Sequence, residues 1–173
     1  MTNISITTSP TGRSPDKKYF FGEQTKDLDL TRPKFNKIGN GKDFADFYAL
    51  LQSQKNYLDP MNFETVGTNF TLHTNDERHK QFVWNMFKVT AEDQEGDWTI
   101  WHNTSIEMEP KIYVHLDKKI LLIAGTTFLG EIKKGVFGIV SFELPKFDRL
   151  PMHCGAFTYR KTTNQMFGLS GTG

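Results

Sequence analysis

Four segments of this chain carry residues that could bind an anion or a metal ion. The first is Phe167-Gly-Leu-Ser-Gly-Thr-Gly173, in which Gly168 and Gly173 have the G-x-x-x-x-G spacing of a phosphate-binding loop. Glycines at this spacing let successive backbone N–H groups turn inward and donate to phosphate oxygens. Because such a motif normally continues with Lys and then Ser or Thr, we expect the chain to be truncated inside the loop. The alternative is a flexible glycine-rich tail.

The second and third segments contain candidate metal ligands. Gly130-Glu-Ile-Lys-Lys-Gly135 places two lysines between glycines after an apolar strand, which predicts an anion or metal site on a turn between two strands. Met152-His-Cys154 offers an imidazole beside a thiol. Adjacent strand residues point to opposite faces, so if His153 binds a ligand, we expect Cys154 to be buried packing. The alternatives are a solvated hairpin turn and a structural histidine.

The fourth segment is Thr11-Gly-Arg-Ser-Pro15, which holds an arginine in a loop punctuated by glycine and proline. The planar guanidinium of Arg13 can donate two parallel hydrogen bonds to a carboxylate or a phosphate. Gly12 allows a close approach of the backbone. A basic surface loop is the alternative interpretation.

The elements that must position these residues are mixed along the chain. One helix is predicted from a cap at Asp43, with Phe44, Phe47, Tyr48 and Leu51 on one face. A second is predicted at 76–87, where Thr74 and Glu77 have capping-box spacing. One strand is predicted in the opening segment, ending at Phe21, and further strands are predicted at 98–101, 112–116, 120–124 and 136–142. The strand at 112–116 is predicted to be half-buried. Without a regular βαβ alternation, the pattern indicates an α+β or irregular α/β fold, a mixed sheet with a few helices.

Length, charge and cysteine content narrow the class of protein. The 173 residues are enough for one domain with a hydrophobic core, so we expect a single domain over residues 1–173. A formal net charge of +1 gives no argument for nucleic acid or an anionic membrane as partner. Cys154 is the one cysteine, which excludes an internal disulfide and favours a cytoplasmic location. We expect neither a signal peptide nor a membrane span, and the oligomeric state stays open.

Taken in order, the motifs resemble one family, the ATP-dependent phosphoenolpyruvate carboxykinases. The resemblance runs from about residue 9 to the last residue, and it is strongest in the combination of the Gly-Glu-x-Lys-Lys-Gly motif with the final loop. The segments that carry it are Thr11–Pro15, Phe82-Val-Trp-Asn-Met-Phe87, Ile123-Ala-Gly-Thr126, Gly130–Gly135, Met152–Cys154 and Phe167–Gly173.

The resemblance implies a reaction and a set of roles. The family converts oxaloacetate and ATP to phosphoenolpyruvate, carbon dioxide and ADP in gluconeogenesis, with a divalent metal, commonly Mn²⁺, and Mg²⁺ travelling with ATP. Arg13 resembles the arginine that binds the substrate carboxylate, and Lys133 would balance nearby negative charge. Lys134 and His153 resemble two ligands of the metal. The substrate-binding set implied by the resemblance is Arg13, Phe128 and Lys134, and the catalytic set is Arg13, Lys133 and Lys134. The nucleotide-binding set implied by the resemblance is Lys134, His153, Gly168, Leu169, Ser170, Gly171, Thr172 and Gly173.

Three departures from the family pattern leave two hypotheses about function open. Phe128 stands where the family has Tyr, which keeps the ring and loses a hydroxyl donor to the substrate. Gly155 replaces a Ser, and Asp16-Lys17 inverts the usual order. Under the first hypothesis, the chain is the N-terminal, substrate-binding part of a carboxykinase, and its 173 residues alone are inactive. Under the second hypothesis, the chain is a stand-alone non-catalytic module derived from the family, which binds a small anion or a partner protein.

Overall fold

The computed structural model describes residues 6–7, 18–27, 36–37 and 41–168. By its internal contacts the chain divides into two compact units, residues 1–137 and residues 138–173. The first unit holds a mixed β-sheet with helices, and the second holds a two-stranded hairpin. A single domain over residues 1–173 stays a prediction.

The described residues form three α-helices, two short 3₁₀ helices and eleven strands. The helices are α1 (Gly41–Ser53), α2 (Glu77–Met86) and α3 (Gly130–Glu143), and the 3₁₀ helices are Glu23–Asp27 and Leu144–Phe147. The strands are β1 (Ile6–Thr7), β2 (Lys18–Phe21), β3 (Asn36–Lys37), β4 (Met61–Thr65), β5 (Thr68–Thr74), β6 (Lys88–Val89), β7 (Trp98–Asn103), β8 (Lys111–His115), β9 (Ile120–Ala124), β10 (Gly155–Tyr159) and β11 (Thr162–Met166).

Nine of these strands, within the part of the chain that the structure describes, form one sheet in the order β3-β1-β2-β8-β9-β7-β5-β4-β6. The three strands β5, β7 and β9 run parallel to one another, and β2 runs parallel to β8. The other neighbouring pairs are antiparallel. A mixed sheet with helices confirms the predicted α+β class.

The apolar face of α1 packs on one side of the sheet. Phe44, Phe47 and Leu51 are buried, as the helical spacing of the sequence predicts. They join a cluster whose other members come from the sheet: Phe21, Tyr113, Ile120, Leu122 and Ala124. Asp43, the predicted cap, lies inside the helix, because α1 begins two residues earlier.

Strand β8 lies inside the sheet, between β2 and β9. The alternation Ile112, Val114, Leu116 led to the prediction of a half-buried strand, and this prediction is wrong. Tyr113 and His115, on the opposite side of the strand, are buried as well. Sequence alternation therefore marked one buried face and gave no sign that the other was buried too.

The largest correction concerns α3. The Gly130–Gly135 segment does not turn between two strands, and residues 136–142 do not form a strand, because both belong to this one helix. Its buried side chains Ile132, Val136 and Ile139 follow at spacings of four and three, the period of a helix. Gly135 faces the sheet. A Cβ atom there would lie 2.6 Å from Cδ2 of Leu121, so the missing side chain lets α3 approach β9 closely.

The start of α2 also differs from the predicted capping box. The N-cap is Asp76, whose Oδ1 accepts a hydrogen bond from the backbone N–H of Arg78 at 2.8 Å. The hydroxyl of Thr74 instead accepts from the N–H of Asp76 and lies 2.9 Å from Nδ1 of His102. The helix was therefore placed correctly, but the residue that caps it was not.

In the second unit, β10 and β11 pair as an antiparallel hairpin. Arg160 and Lys161 form its tip with φ of 48° and 66°, the backbone that a tight two-residue hairpin turn requires. His153 and Cys154 precede β10 and lie outside any strand, so the opposite-face argument does not apply to them. His153 is exposed, and Cys154 is partly exposed rather than buried.

Candidate functional site

The parallel strands β5, β7 and β9 end at one edge of the sheet. Thr74 pairs in register with His102, and His102 pairs with Ile123, so the C-terminal ends of all three strands lie side by side. Ligands of open sheets with parallel strands bind in the crevice outside the carboxyl ends of the strands. The segment that follows β9 at this edge, residues 125–129, leads directly into α3, and we call it the β9–α3 loop.

The β9–α3 loop is shaped by two glycines. Gly125 has φ of 75°, and a Cβ atom there would collide with the carbonyl oxygen of Met108. A Cβ atom at Gly130 would lie 2.7 Å from the ring of Phe128, so this glycine makes room for the ring at the start of α3. Within the loop, the N–H of Phe128 donates to Oγ1 of Thr126 at 3.1 Å, and the N–H of Glu131 donates to the carbonyl of Phe128 at 3.1 Å.

Phe128 and Lys134, both predicted from the sequence to bind substrate, lie together at this edge. The ammonium nitrogen of Lys134 is 5.2 Å from the centroid of the Phe128 ring, within the range of a cation–π contact. The Phe128 ring lies over Gly130, and Lys134 follows Gly130 by one helical turn, so the ring and the ammonium group come close together. Lys133 is exposed, and it occupies a different side of the helix.

Glu131 is a buried carboxylate that the sequence analysis did not select. Its side chain is 1% exposed, and Nζ of Lys134, one helical turn further on, lies 3.8 Å from its Oε1. Within the described ranges, neither carboxylate oxygen has a hydrogen-bond donor. Its charge is therefore balanced by an ion pair with Lys134 without a direct hydrogen bond. The i, i+3 spacing of Glu131 and Lys134 could have revealed the pair, had the segment been interpreted as a helix.

Two further buried residues that the sequence analysis missed lie at the same edge. His79 on α2 and His102 on β7 are both 0% exposed, and their ring centroids are 4.2 Å apart. Burial lowers the pKa of both imidazoles, that of His102 to about 3, where the neighbouring His79 lowers it further. Both rings are therefore neutral at pH 7. His102 follows the apolar residues Trp98, Ile100 and Trp101 in its strand, and that was the available signal.

The remaining candidate residues fall into two groups. Arg13 and the segment 169–173, with Leu169, Ser170, Gly171, Thr172 and Gly173, lie outside the described residues, so their roles stay predictions. His153 and Gly168 lie in the second unit, where both are exposed. Lys134 belongs to the first unit, and its convergence with His153 on one metal ion stays a prediction.

The described residues offer neither a clustered metal site nor a membrane-spanning helix. Among them, no group of three or more His, Cys, Asp and Glu side chains is placed to hold a metal ion. Nor does any helix within the described ranges have both the length and the apolar character needed to cross a membrane.

Comparison with known proteins agrees with the resemblance of the motifs. A family model described as phosphoenolpyruvate carboxykinase matches residues 2–173. A curated relative from Bacillus velezensis, named phosphoenolpyruvate carboxykinase (ATP), is 32% identical over 94% of this chain and 35% of its own length. Relatives with the same name from Leptospira biflexa and Deinococcus radiodurans are 31% and 28% identical, over 94% and 98% of this chain and 35% and 41% of their own.

The chain thus spans little more than a third of the length of the curated relatives it matches. Since the family match extends over almost every residue and the motifs occur in the family's order, this chain belongs to the phosphoenolpyruvate carboxykinase family.

Proposed function

We propose that residues 1–173 are the substrate-binding N-terminal part of an ATP-dependent phosphoenolpyruvate carboxykinase, ending within the nucleotide phosphate-binding loop. The reaction converts oxaloacetate and ATP to phosphoenolpyruvate, carbon dioxide and ADP. The observation that carries the proposal is the contact of Phe128 with Lys134 at the carboxyl edge of β5, β7 and β9. Both residues occupy positions that the family motif assigns to substrate, and the edge is where such sheets bind ligands.

The chemistry explains why cations are needed there. Loss of carbon dioxide leaves an enolate, and its oxygen attacks the γ-phosphate of ATP. Negative charge therefore develops on the enolate oxygen and on the transferring phosphoryl group, and fixed positive groups stabilise it. We assign Lys134 to this task, Lys133 to balancing nearby phosphate or carboxylate charge, and Arg13 to the substrate carboxylate, which its two parallel N–H donors match in shape.

The family implies a divalent metal ion, commonly Mn²⁺, with Mg²⁺ accompanying ATP. An amine and an imidazole are nitrogen donors that suit a divalent transition metal, so Lys134 and His153 fit the ion by chemistry. Lys134 must be neutral to act as a ligand, whereas its contacts with Glu131 and the Phe128 ring are those of a charged ammonium. When bound, the ion would supply positive charge beside the enolate oxygen.

Phe128 favours a second candidate function, a non-catalytic module that binds a small anion or a partner protein. Without a phenolic hydroxyl, the ring still contacts Lys134 but cannot donate a hydrogen bond to a substrate. A family member that had stopped catalysing the reaction could keep the anion-binding cation and lose that donor.

Titration calorimetry of the purified chain with phosphoenolpyruvate and MnCl₂ tests the proposal. We expect saturable binding, which Arg13→Ala weakens by about 30–150-fold, because losing a charged hydrogen-bond partner costs on the order of 2–3 kcal/mol. Arg13→Lys keeps the charge, loses the fork and should also bind more weakly. Arg149→Ala, which removes an exposed arginine of the second unit, is the matched control. Equal affinity of the parent and both Arg13 variants would leave Arg13 as a surface residue.

A coupled assay with oxaloacetate, ATP, Mn²⁺ and Mg²⁺ tests the enzymatic part. The family's phosphate-binding lysine and the hydroxyl that binds Mg²⁺ follow the position of Gly173, and the 173 residues do not include them. Positioning and electrostatics supply nearly all catalysis of phosphoryl transfer, so we expect no turnover by these residues alone. ATP-dependent formation of phosphoenolpyruvate above the blank would contradict this. The cytoplasmic location, which rests on the single cysteine, stays part of the proposal.

A further inference from the structure

Glu131 is a buried carboxylate in the first turn of α3, one helical turn before Lys134. Its side chain is 1% exposed, and neither of its oxygens accepts a hydrogen bond from the described residues. The proposed function assigns no task to Glu131. A charge is costly to bury unless another charge balances it, so the group that balances this carboxylate indicates what the carboxylate acts on.

The ammonium nitrogen of Lys134 has two groups nearby that attract a cation. Oε1 of Glu131 is 3.8 Å away, and the centroid of the Phe128 ring is 5.2 Å away. A lysine carries its charge on a long, flexible stem, and two such contacts restrict the positions that the charge can occupy. The Lys134 side chain is 32% exposed, so solvent and small solutes still reach it.

The backbone fixes the carboxylate relative to the ring. The N–H of Glu131 donates to the carbonyl of Phe128 at 3.1 Å, which ties the first turn of α3 to the loop that carries the ring. Residues three apart on a helix are neighbours, so this turn also places Lys134 beside Glu131. A carboxylate in the first turn is stabilised by the helix dipole as well, which offsets part of the cost of its burial.

The ion pair leaves the donors of Lys134 unused. A separation of 3.8 Å is too long for a hydrogen bond, and Lys134 donates none to the part of the chain that the structure describes. Glu143 and Lys146 have the same spacing in sequence, yet Lys146 donates to both oxygens of Glu143 at 3.3 Å. Lys134 is therefore attracted by its carboxylate without being bound by it, and its N–H groups can donate to a ligand.

We propose that Glu131 is a positioning residue, whose buried carboxylate holds the Lys134 ammonium group beside the Phe128 ring and leaves its N–H donors for an anion. The value of that position for substrate rests on the function proposed above, whereas the positioning itself does not. A carboxylate this close to Lys134 also repels an anion. Positioning and repulsion therefore predict opposite effects on anion binding when the charge of Glu131 is removed.

NMR of the lysine side chains of the purified chain tests the positioning. In the parent chain we expect the ε-methylene protons of Lys134 to resonate upfield of those of the exposed Lys133, because they lie near the face of an aromatic ring. Glu131→Gln keeps the shape of the side chain and removes its charge, so the upfield shift should be lost and the order parameter of the Lys134 side chain should fall. Phe128→Leu removes the ring and identifies the shift.

Glu143→Gln is the matched control, because it removes the carboxylate of the equally spaced pair with Lys146. It should leave the Lys134 signals unchanged. Unchanged Lys134 signals in Glu131→Gln would overturn the proposal, and so would an equal loss in Glu143→Gln. If Glu131→Gln does not fold, Glu131→Asp withdraws the carboxylate by one methylene and should cause the same loss. If neither folds, the parent chain decides, and a Lys134 side chain as mobile as that of Lys133 would refute the positioning.

The calorimetric titration with phosphoenolpyruvate and MnCl₂ separates this proposal from the proposed function. We expect Glu131→Gln to bind about 2–12-fold more weakly, because the ligand must then order one long side chain that the parent holds in place. Equal or tighter binding would overturn the proposal, since repulsion would then outweigh positioning. If the parent chain does not bind phosphoenolpyruvate but the Lys134 signals respond as expected, the function fails and the positioning stands. Binding by the parent with unchanged Lys134 signals in the variant gives the opposite result.

Discussion

Gly135→Ala tests how closely α3 packs on β9. A Cβ atom at this position would lie 2.6 Å from Cδ2 and 3.3 Å from Cδ1 of Leu121, which is itself 0% exposed. Since Leu121 is buried, either its rotamer or the helix must shift, at a cost of about 1–3 kcal/mol. Ala also gains about 1 kcal/mol over Gly from helix propensity. The net effect on the free energy of unfolding is therefore expected to lie between about 0 and −2 kcal/mol.

Gly138→Ala is the control that isolates the packing contribution. It lies in the same helix, and a Cβ atom there would meet nothing within 4 Å. It should gain about 1 kcal/mol from the same propensity, so the two variants should differ by about 1–3 kcal/mol. Urea unfolding followed by fluorescence, with Trp98 buried in the sheet, measures both free energies. Equal stabilisation by the two substitutions would refute the close approach of α3 to Leu121.

Three further predictions concern stability. Burial lowers the pKa of His79 and His102 below the ordinary value, so the unfolded chain takes up protons before the folded chain as the pH falls from about 6.5. Urea unfolding between pH 7 and 5 should therefore show the free energy of unfolding falling by up to about 1.4 kcal/mol per pH unit for each imidazole. His102→Phe should reduce that slope. Asp76→Ala should cost about 1 kcal/mol through loss of the α2 cap, and Asp76→Asn, which can still accept from Arg78, should cost less; equal losses would contradict the capping role. Val66 is a β-branched residue at φ of 44° and is 58% exposed, so Val66→Asn should stabilise by about 1 kcal/mol in thermal unfolding, and a lower melting temperature would exclude strain there.

Local pattern was sufficient for α1 and α2, where apolar residues repeat at helical spacing, and for β9, which is an unbroken apolar run. It failed for residues 136–142. The sequence Val-Phe-Gly-Ile-Val-Ser-Phe is short and rich in β-branched and aromatic residues, which favour a strand, and its glycine is unfavourable inside a helix. In the folded chain Ile132, Val136, Ile139 and Val140 form a buried helical stripe, so tertiary packing outweighed local propensity.

Some residues of the candidate site could be selected from the sequence, and others only from the structure. Lys134 and Phe128 were selected from the sequence because of their motif, and the structure adds a cation–π contact between them, whereas their role in binding stays a prediction. Glu131 was not found, because in a turn between strands it would have been exposed, whereas in α3 it is buried beside Lys134. His79 and His102 are separated by 23 residues and meet only because β5 and β7 are adjacent and parallel.

By itself, then, the sequence determined the family, the α+β class and the side chains that could bind anions. Residue identity and spacing are properties of the chain, and a motif such as Gly-Glu-Ile-Lys-Lys-Gly carries them whatever its conformation. The tertiary structure alone decided that this motif begins a helix, that Gly135 faces Leu121, and that the imidazoles of His79 and His102 meet. Those facts depend on contacts between residues distant in the chain, and the free energy of such contacts has no signature in local sequence.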